Sequence, residues 1–441
     1  MLTEVHTMNT QISIEGLRWV ERWRVSNGKS GTYVVPFPTT RPVNIVTHGE
    51  RRFDYGQYGI HLGQQDVLTF LGASRKTIVG RFIDCRKHSP TFRRVEEFKF
   101  TPSSARTLII PPGVAHTFNG LEGIITLNAY DLFLPPLEDL IKSSLGWMPE
   151  SDIINLPLDI PPATIEGVVP MSEPAANAVY YRIGEYQLRA MDETEMPHAE
   201  TRTFTLTDGR QVRLMLKANS PEPDERAALP ASTIEGVSFR RHPRVTTGPD
   251  SYISPVPGPS PFYVVDHGEE AYDFDSYGIH LGQEDHLTFL GEGHRMIGLK
   301  LVDMRRGSPA LHKEEWLEFA CDPQVELIIP PGVAHALFNM GSIYTLNRPV
   351  LYLDAEGAYQ PGKDVIDWPL TDTTYPILDP HQRPASVAYL ESLAALQARV
   401  VASESDLETP KAFLIQDPAT GKQVKVVLTR APQATSAEPV Q

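Results

Sequence analysis

The chain repeats itself. Residues 58–72 read YGIHLGQQDVLTFLG and residues 277–291 read YGIHLGQEDHLTFLG, with thirteen of fifteen positions identical at an offset of 219. Residues 108–116 and 327–335 both read LIIPPGVAH, at the same offset. Between these blocks Asp84, Arg86, Ser89 and Pro90 recur as Asp303, Arg305, Ser308 and Pro309, and after them Thr126-Leu127-Asn128 recurs as Thr345-Leu346-Asn347. A constant offset over so long a stretch means two copies of one fold without net insertions. The 441 residues, which average domain sizes would divide into about three, are therefore two. Ile14-Glu15-Gly16 matches Ile234-Glu235-Gly236, and Gln211-Val212-Arg213 matches Gln423-Val424-Lys425. These flanks place a first domain at 12–217, a Pro/Ala-rich linker at 218–232 and a second domain at 233–430. The polar stretch 431–441 reads as a disordered tail.

Each copy has the pattern of strands. VLTFL, TIVGRFID, EEFKF and TLIIP are short, rich in β-branched and aromatic residues, and bounded by Gly, Pro and Ser. The 39 prolines and 31 glycines suit an all-β fold with many turns. Helical spacing occurs at 386–400 and at 137–145, outside the expected β core. The formal charge of −15 argues against nucleic acid or an anionic membrane as partner. Two cysteines, Cys85 and Cys321, cannot form a disulfide framework or a cysteine-rich zinc site. The N-terminal residues lack a signal-peptide pattern and no long apolar run occurs, so a cytoplasmic location is expected.

In PPGVAH, two prolines and a glycine set a tight turn, and the following strand would carry His116 or His335 to one fixed face. His61 and His280 stand on an earlier strand beside a Gly-rich corner. Residues i and i+2 of a strand face one way, so a barrel can bring both histidines of a copy into one cavity. The alternative is that they are buried, hydrogen-bonded histidines without a chemical role.

The Pro-x-Gly-x-x-His elements at Pro111–His116 and Pro330–His335 resemble the second motif of the cupin family; Asn339 completes the motif in the second copy. The longer stretch FIDCRKHSPTFRRVEEFKFTPSSARTLIIPPGVAHTF resembles dTDP-4-dehydrorhamnose 3,5-epimerase, and LVDMRRGSPA repeats most of its first part. The resemblance implies two tandem cupin barrels (double-stranded β-helix, or jelly-roll) with a few short peripheral helices. It also implies a small-molecule substrate such as a nucleotide-linked keto-sugar, and no cofactor. By the same resemblance His61 is the general base in Tyr58-Gly59-Ile60-His61, His280 is its counterpart, and Tyr130 is the general acid. The second copy has Pro349 in place of that acid. The family's lysine is absent, with Val67 and His286 nearest its position, and the Asp partnering the base is not placed.

Epimerisation beside a ketone needs a base, an acid on the opposite face and a donor or cation for the enolate oxygen. The expected substrate-binding set is His116, Asp84, Arg86, Arg81, Asn128 and His335. Residues 51–106 hold 11 Lys/Arg against 5 Asp/Glu, whereas 270–325 hold 5 against 11. The basic first copy suits an anionic ligand, and the opposed charges equally suit copies docked as an intramolecular pseudo-dimer or a homodimer. Two further readings stay open: a metal-dependent bicupin with ligands His280, His286 and His335, and a non-catalytic binding protein.

Overall fold

The computed structural model describes residues 12–134 except 27–31 and 52, and parts of 153–175. It also describes the strands Ala199–Thr205 and Gln211–Lys217, and residues 228–428 with short interruptions. Most of the linker, the expected 137–145 helix and the tail lie outside the described residues.

Both copies fold as the same pair of sheets. In the first copy the large sheet runs in the order Arg18–Glu21, Arg106–Ile110, Gln64–Leu71, Ile125–Asn128, Val43–Thr47. The smaller, five-stranded sheet runs Ile153–Pro157, Gln57–His61, Val114–Asn119, Ile78–Asp84, Val95–Phe100. Alternation along these antiparallel strands turns Leu68, Phe70, Phe82, Phe98, Leu108, Ile110 and Phe118 into the barrel, where they form one buried cluster. The second copy repeats this with Leu287, Phe289, Leu299, Leu301, Phe319 and Leu337. The chain is an all-β tandem of two cupin barrels. The helix expected near 386–400 is present as Val387–Glu404 and packs Leu390 and Leu393 on Leu351, Leu353 and Tyr359.

The sheets do not respect the boundary between copies. Tyr33–Phe37, from the first copy, pairs with Phe262–Asp266 and extends the second copy's sheet. Ser251–Val256, from the second copy, pairs with Val43–Thr47 and extends the first. The copies therefore form a pseudo-dimer within one chain, each lending a strand to the other. Where the outer faces meet, Val35, Phe37, Val67, Ile109 and Leu127 pack with Val256, Phe262, Val264, Leu290 and Leu346. Phe37 and Phe262 stack at the centre, 4.6 Å apart and 10° from parallel. The buried Arg348 donates to the carbonyls of Val256 and Arg41, tying the exchanged Ser251–Val256 strand to the loop that follows Tyr33–Phe37.

Phe37 is 1% exposed, so Phe37→Ala removes a ring from the shared core. It is expected to cost about 3–5 kcal/mol in chemical denaturation; a loss below about 1 kcal/mol would contradict the interlocked interface.

Candidate functional site

The two motif histidines of each copy meet because the turn between strands is fastened to the first of them. Gly113 takes a φ of +80°, a conformation glycine adopts readily, and its N–H donates to the carbonyl of His61 at 2.7 Å. Gly332 does the same to His280, also at 2.7 Å. From that turn His116 comes to lie opposite Gly59, so His116 and His61 share the inner face. Their rings lie 6.0 Å apart, 28° from parallel; those of His280 and His335 lie 6.0 Å apart, 24° from parallel.

A carboxylate completes each pair. Asp66 Oδ2 lies 3.2 Å from His116 Nε2 and 3.9 Å from His61 Nε2. Asp285 Oδ2 lies 3.4 Å from His335 Nε2 and 3.7 Å from His280 Nε2. The other carboxylate oxygen accepts from two amides: Gln64 at 2.7 Å and Asn128 at 2.8 Å in the first copy, Gln283 at 2.7 Å and Asn347 at 2.6 Å in the second. Burial alone would raise the Asp66 carboxyl, but the two histidines and two amides outweigh it and hold it below the usual carboxylate range. Asp285 behaves alike.

In the second copy a further aspartate joins the pair. His280 Nδ1 lies 3.2 Å from Asp364 Oδ2, an aspartate directly before the Val365–Pro369 strand that pairs with Ser276–His280. Burial would lower the His280 pKa, but Asp285 and Asp364 raise it to about 9. His335 is moved the opposite way, downward by burial. Two tyrosines reach the same network. The Tyr359 hydroxyl donates to Gln283 Oε1 at 3.0 Å, and the Tyr263 oxygen accepts from Gln283 at 3.1 Å and from Asn347 at 2.6 Å. Burial pushes both phenols up, so both are neutral. In the first copy His61 pairs with Ile153 as His280 pairs with Val365. The residue before Ile153 is Asp152, which lies outside the described residues.

Other expected site residues stand elsewhere. Arg81 is opposite Thr117, one position out of phase with His116, so it projects from the outer face and binds Glu97 at 2.6 Å. Arg86 grips both oxygens of the buried Asp84 at 2.8 Å and the Glu15 carbonyl at 2.6 Å; Ser89 and Thr91 also donate to Asp84. This clasp fixes the loop over Gly113, where an added Cβ would lie 2.5 Å from Arg86 Cγ. Asp84 and Arg86 thus act on the His116 turn, and Arg305 with Asp303 repeats the arrangement. Val67 and His286 follow the inward Asp66 and Asp285 and so face out. His286 is held there by Glu284 at 3.0 Å and Glu326 at 3.4 Å. The expected metal set His280, His286 and His335 is therefore corrected: Asp285 takes the place assigned to His286. Tyr130, two residues after the Ile125–Asn128 strand, is fully buried.

His61, Asp66 and His116, and likewise His280, Asp285 and His335, offer ligand atoms within 4.8 Å of one another. The ring protons support such use. His116 Nδ1 lies 3.2 Å from the Val114 carbonyl, which can only accept, so Nε2 is the nitrogen turned toward Asp66. Metal-bound histidines are commonly oriented by an outer partner in this way. Two imidazoles and one carboxylate suit iron, nickel or zinc.

Two cupin barrels, each with an inward His–His–Asp centre, define the class of this protein. Residues 58–132, a stretch within the first copy, match the family model for dTDP-4-dehydrorhamnose 3,5-epimerase. No curated protein matches. Among solved structures, a dTDP sugar isomerase from Desulfovibrio desulfuricans G20 is 17% identical, covering 34% of this chain and 90% of that one at a TM-score of 0.25. A sugar 3,4-ketoisomerase from Thermoanaerobacterium thermosaccharolyticum is 15% identical, covering 30% and 88% at 0.22. An oxalate decarboxylase from Lactobacillus farciminis is 9% identical, covering 76% and 87% at 0.23.

The His280–Asp364 pair makes a pH prediction. Because the folded-state pKa of about 9 lies above the ordinary 6.5, its contribution is full below pH 6.5 and is lost as pH rises through 9. Asp364→Asn is expected to cost about 1.5–3 kcal/mol at pH 6.5 and to flatten the decline in stability toward pH 9. Urea denaturation at both pH values checks this; an unchanged decline would contradict the pairing.

Proposed function

We propose that the protein is a sugar isomerase or epimerase that moves a proton on a carbon next to a carbonyl, with a nucleotide-linked keto-sugar taken by the first copy. The observation that carries this is the centre itself: a buried histidine pair on one face, held by a carboxylate whose second oxygen is fixed by two amides. The match of 58–132 to the epimerase family and the basic balance of residues 51–106 favour the first copy.

In this reading His61 Nε2 takes the proton from the substrate carbon. The Gln64 amide nitrogen lies 3.4 Å from that atom. Tyr130 returns a proton to the opposite face. His116, with Asn128 and Asp66 behind it, and the Gln64 amide hold the substrate and the enolate oxygen. An imidazole base and a phenolic acid are the kinds of group the step requires.

Incubation with a 4-keto-6-deoxy sugar nucleotide in deuterated water should give exchange at the carbons beside the carbonyl. His61→Ala and Tyr130→Phe should each slow it by about 10²–10⁴-fold, while His280→Ala leaves most of it. Exchange lost only in His280→Ala would move the chemistry to the second copy. Exchange unaffected by every substitution would end the proposal.

A second reading is favoured by the two His–His–Asp groups. With a metal in place the same residues would be its ligands, and the ion would supply Lewis-acid or redox chemistry. His116 and His335, through Val114 and Val333, and His280, through Asp364, would orient their Nε2 atoms toward it. Stoichiometric iron, nickel or zinc in untagged protein, with activity removed by a chelator and restored by one metal, would favour this reading.

A further inference from the structure

The two centres share both histidines, the aspartate, the glutamine and the asparagine, yet differ at the inner-face position beside that asparagine. In the second copy Tyr263 stands opposite Asn347, and its oxygen is bound by Asn347 and Gln283. The equivalent residue of the first copy, at the same offset of 219, is Asn44. Asn44 stands opposite Asn128, the residue that donates to Asp66, so it faces the same interior. Its side chain carries a short amide in place of the phenol ring, and its Oδ1 is buried with no hydrogen-bond partner among the described residues.

A buried amide oxygen left unpaired costs about 1–3 kcal/mol, and such atoms in proteins nearly always have a donor. Tyr263 shows the space that such a donor would fill. Its ring extends from its strand into the interior, and its oxygen ends against the amides of Asn347 and Gln283. A group occupying the equivalent space of the first copy would face Asn44 and the Asn128 and Gln64 amides. That ensemble of one acceptor and two amides fits a hydroxyl, which donates and accepts at once.

We propose that Asn44 is a specificity-determining residue of the first centre, accepting a hydrogen bond from a hydroxyl of the sugar, and that Tyr263 excludes the same sugar from the second. This rests on the reading that the first copy takes a nucleotide-linked sugar. It explains why one duplicated centre would serve that substrate although both keep the His–His–Asp group.

The test uses the full chain and a 4-keto-6-deoxy sugar nucleotide. Asn44→Ala should raise KM roughly tenfold, the worth of one hydrogen bond, with kcat little changed. Asn44→Tyr, which copies the second centre, should fold with a melting temperature at or above that of wild type and weaken calorimetric binding by at least tenfold. Wild-type binding in a folded Asn44→Tyr variant would overturn the role of Asn44. So would a melting temperature several degrees lower, because the ring would then have no room. A wild-type protein that does not bind the sugar nucleotide would instead overturn the functional reading and remove the ligand from this one.

Discussion

A carboxylate buried in a barrel dictates much of what surrounds it. Asp66 is 3% exposed and Asp285 is 2% exposed, and a buried anion is tolerated only where donors or cations meet it. The donors come from several strands: the two histidines from the smaller sheet, the asparagine from the large sheet, and the glutamine from the start of the aspartate's own strand. Each strand must keep its register for that to happen, since a slip of one residue would turn each of these side chains to the other face. The hydrogen bonds from Gly113 to His61 and from Gly332 to His280 hold the register where the two histidines meet. The Asp84–Arg86 clasp buttresses the turn from behind.

The exchanged strands place the copies under a different constraint. Each large sheet is completed by the other copy, and the Phe37–Phe262 stack joins the two. Divergence inside is seen at Tyr263, where the other copy has Asn44. Charge diverges as well, with the acidic second copy using Glu284 and Glu326 to hold His286 where the first has the apolar Val67. A duplicated fold has kept one frame around two differently furnished pockets.

The sequence showed the frame well because the duplication acts on whole strands. The barrels, the meeting of His61 with His116 and the helix at Val387–Glu404 could all be read from it. Asp66 and Asp285 were present in the repeated GQ-x-D segment, but an acid one residue from Val67 or His286 is distinguished only by the phase of its strand. Asp364 was hidden because the match between copies shifts its offset after the core: DIINLPL and DVIDWPL align at 212. Arg81 and Arg86 looked like substrate cations by charge alone, whereas their contacts depend on which face a strand presents and which acid lies nearby. Duplication by itself did not mark chemistry either. His48 and His267 are also equivalent, yet they are buried structural histidines bonded to Ile124 with Tyr55, and to Thr345, respectively.

A crystal structure of the full chain soaked with a 4-keto-6-deoxy sugar nucleotide tests the central claim most directly. The account predicts the sugar in the first barrel, with a carbon next to its carbonyl within about 3–3.5 Å of His61 Nε2 and no sugar beside Tyr263. Sugar seated against His280 alone, or outside both barrels, would contradict it.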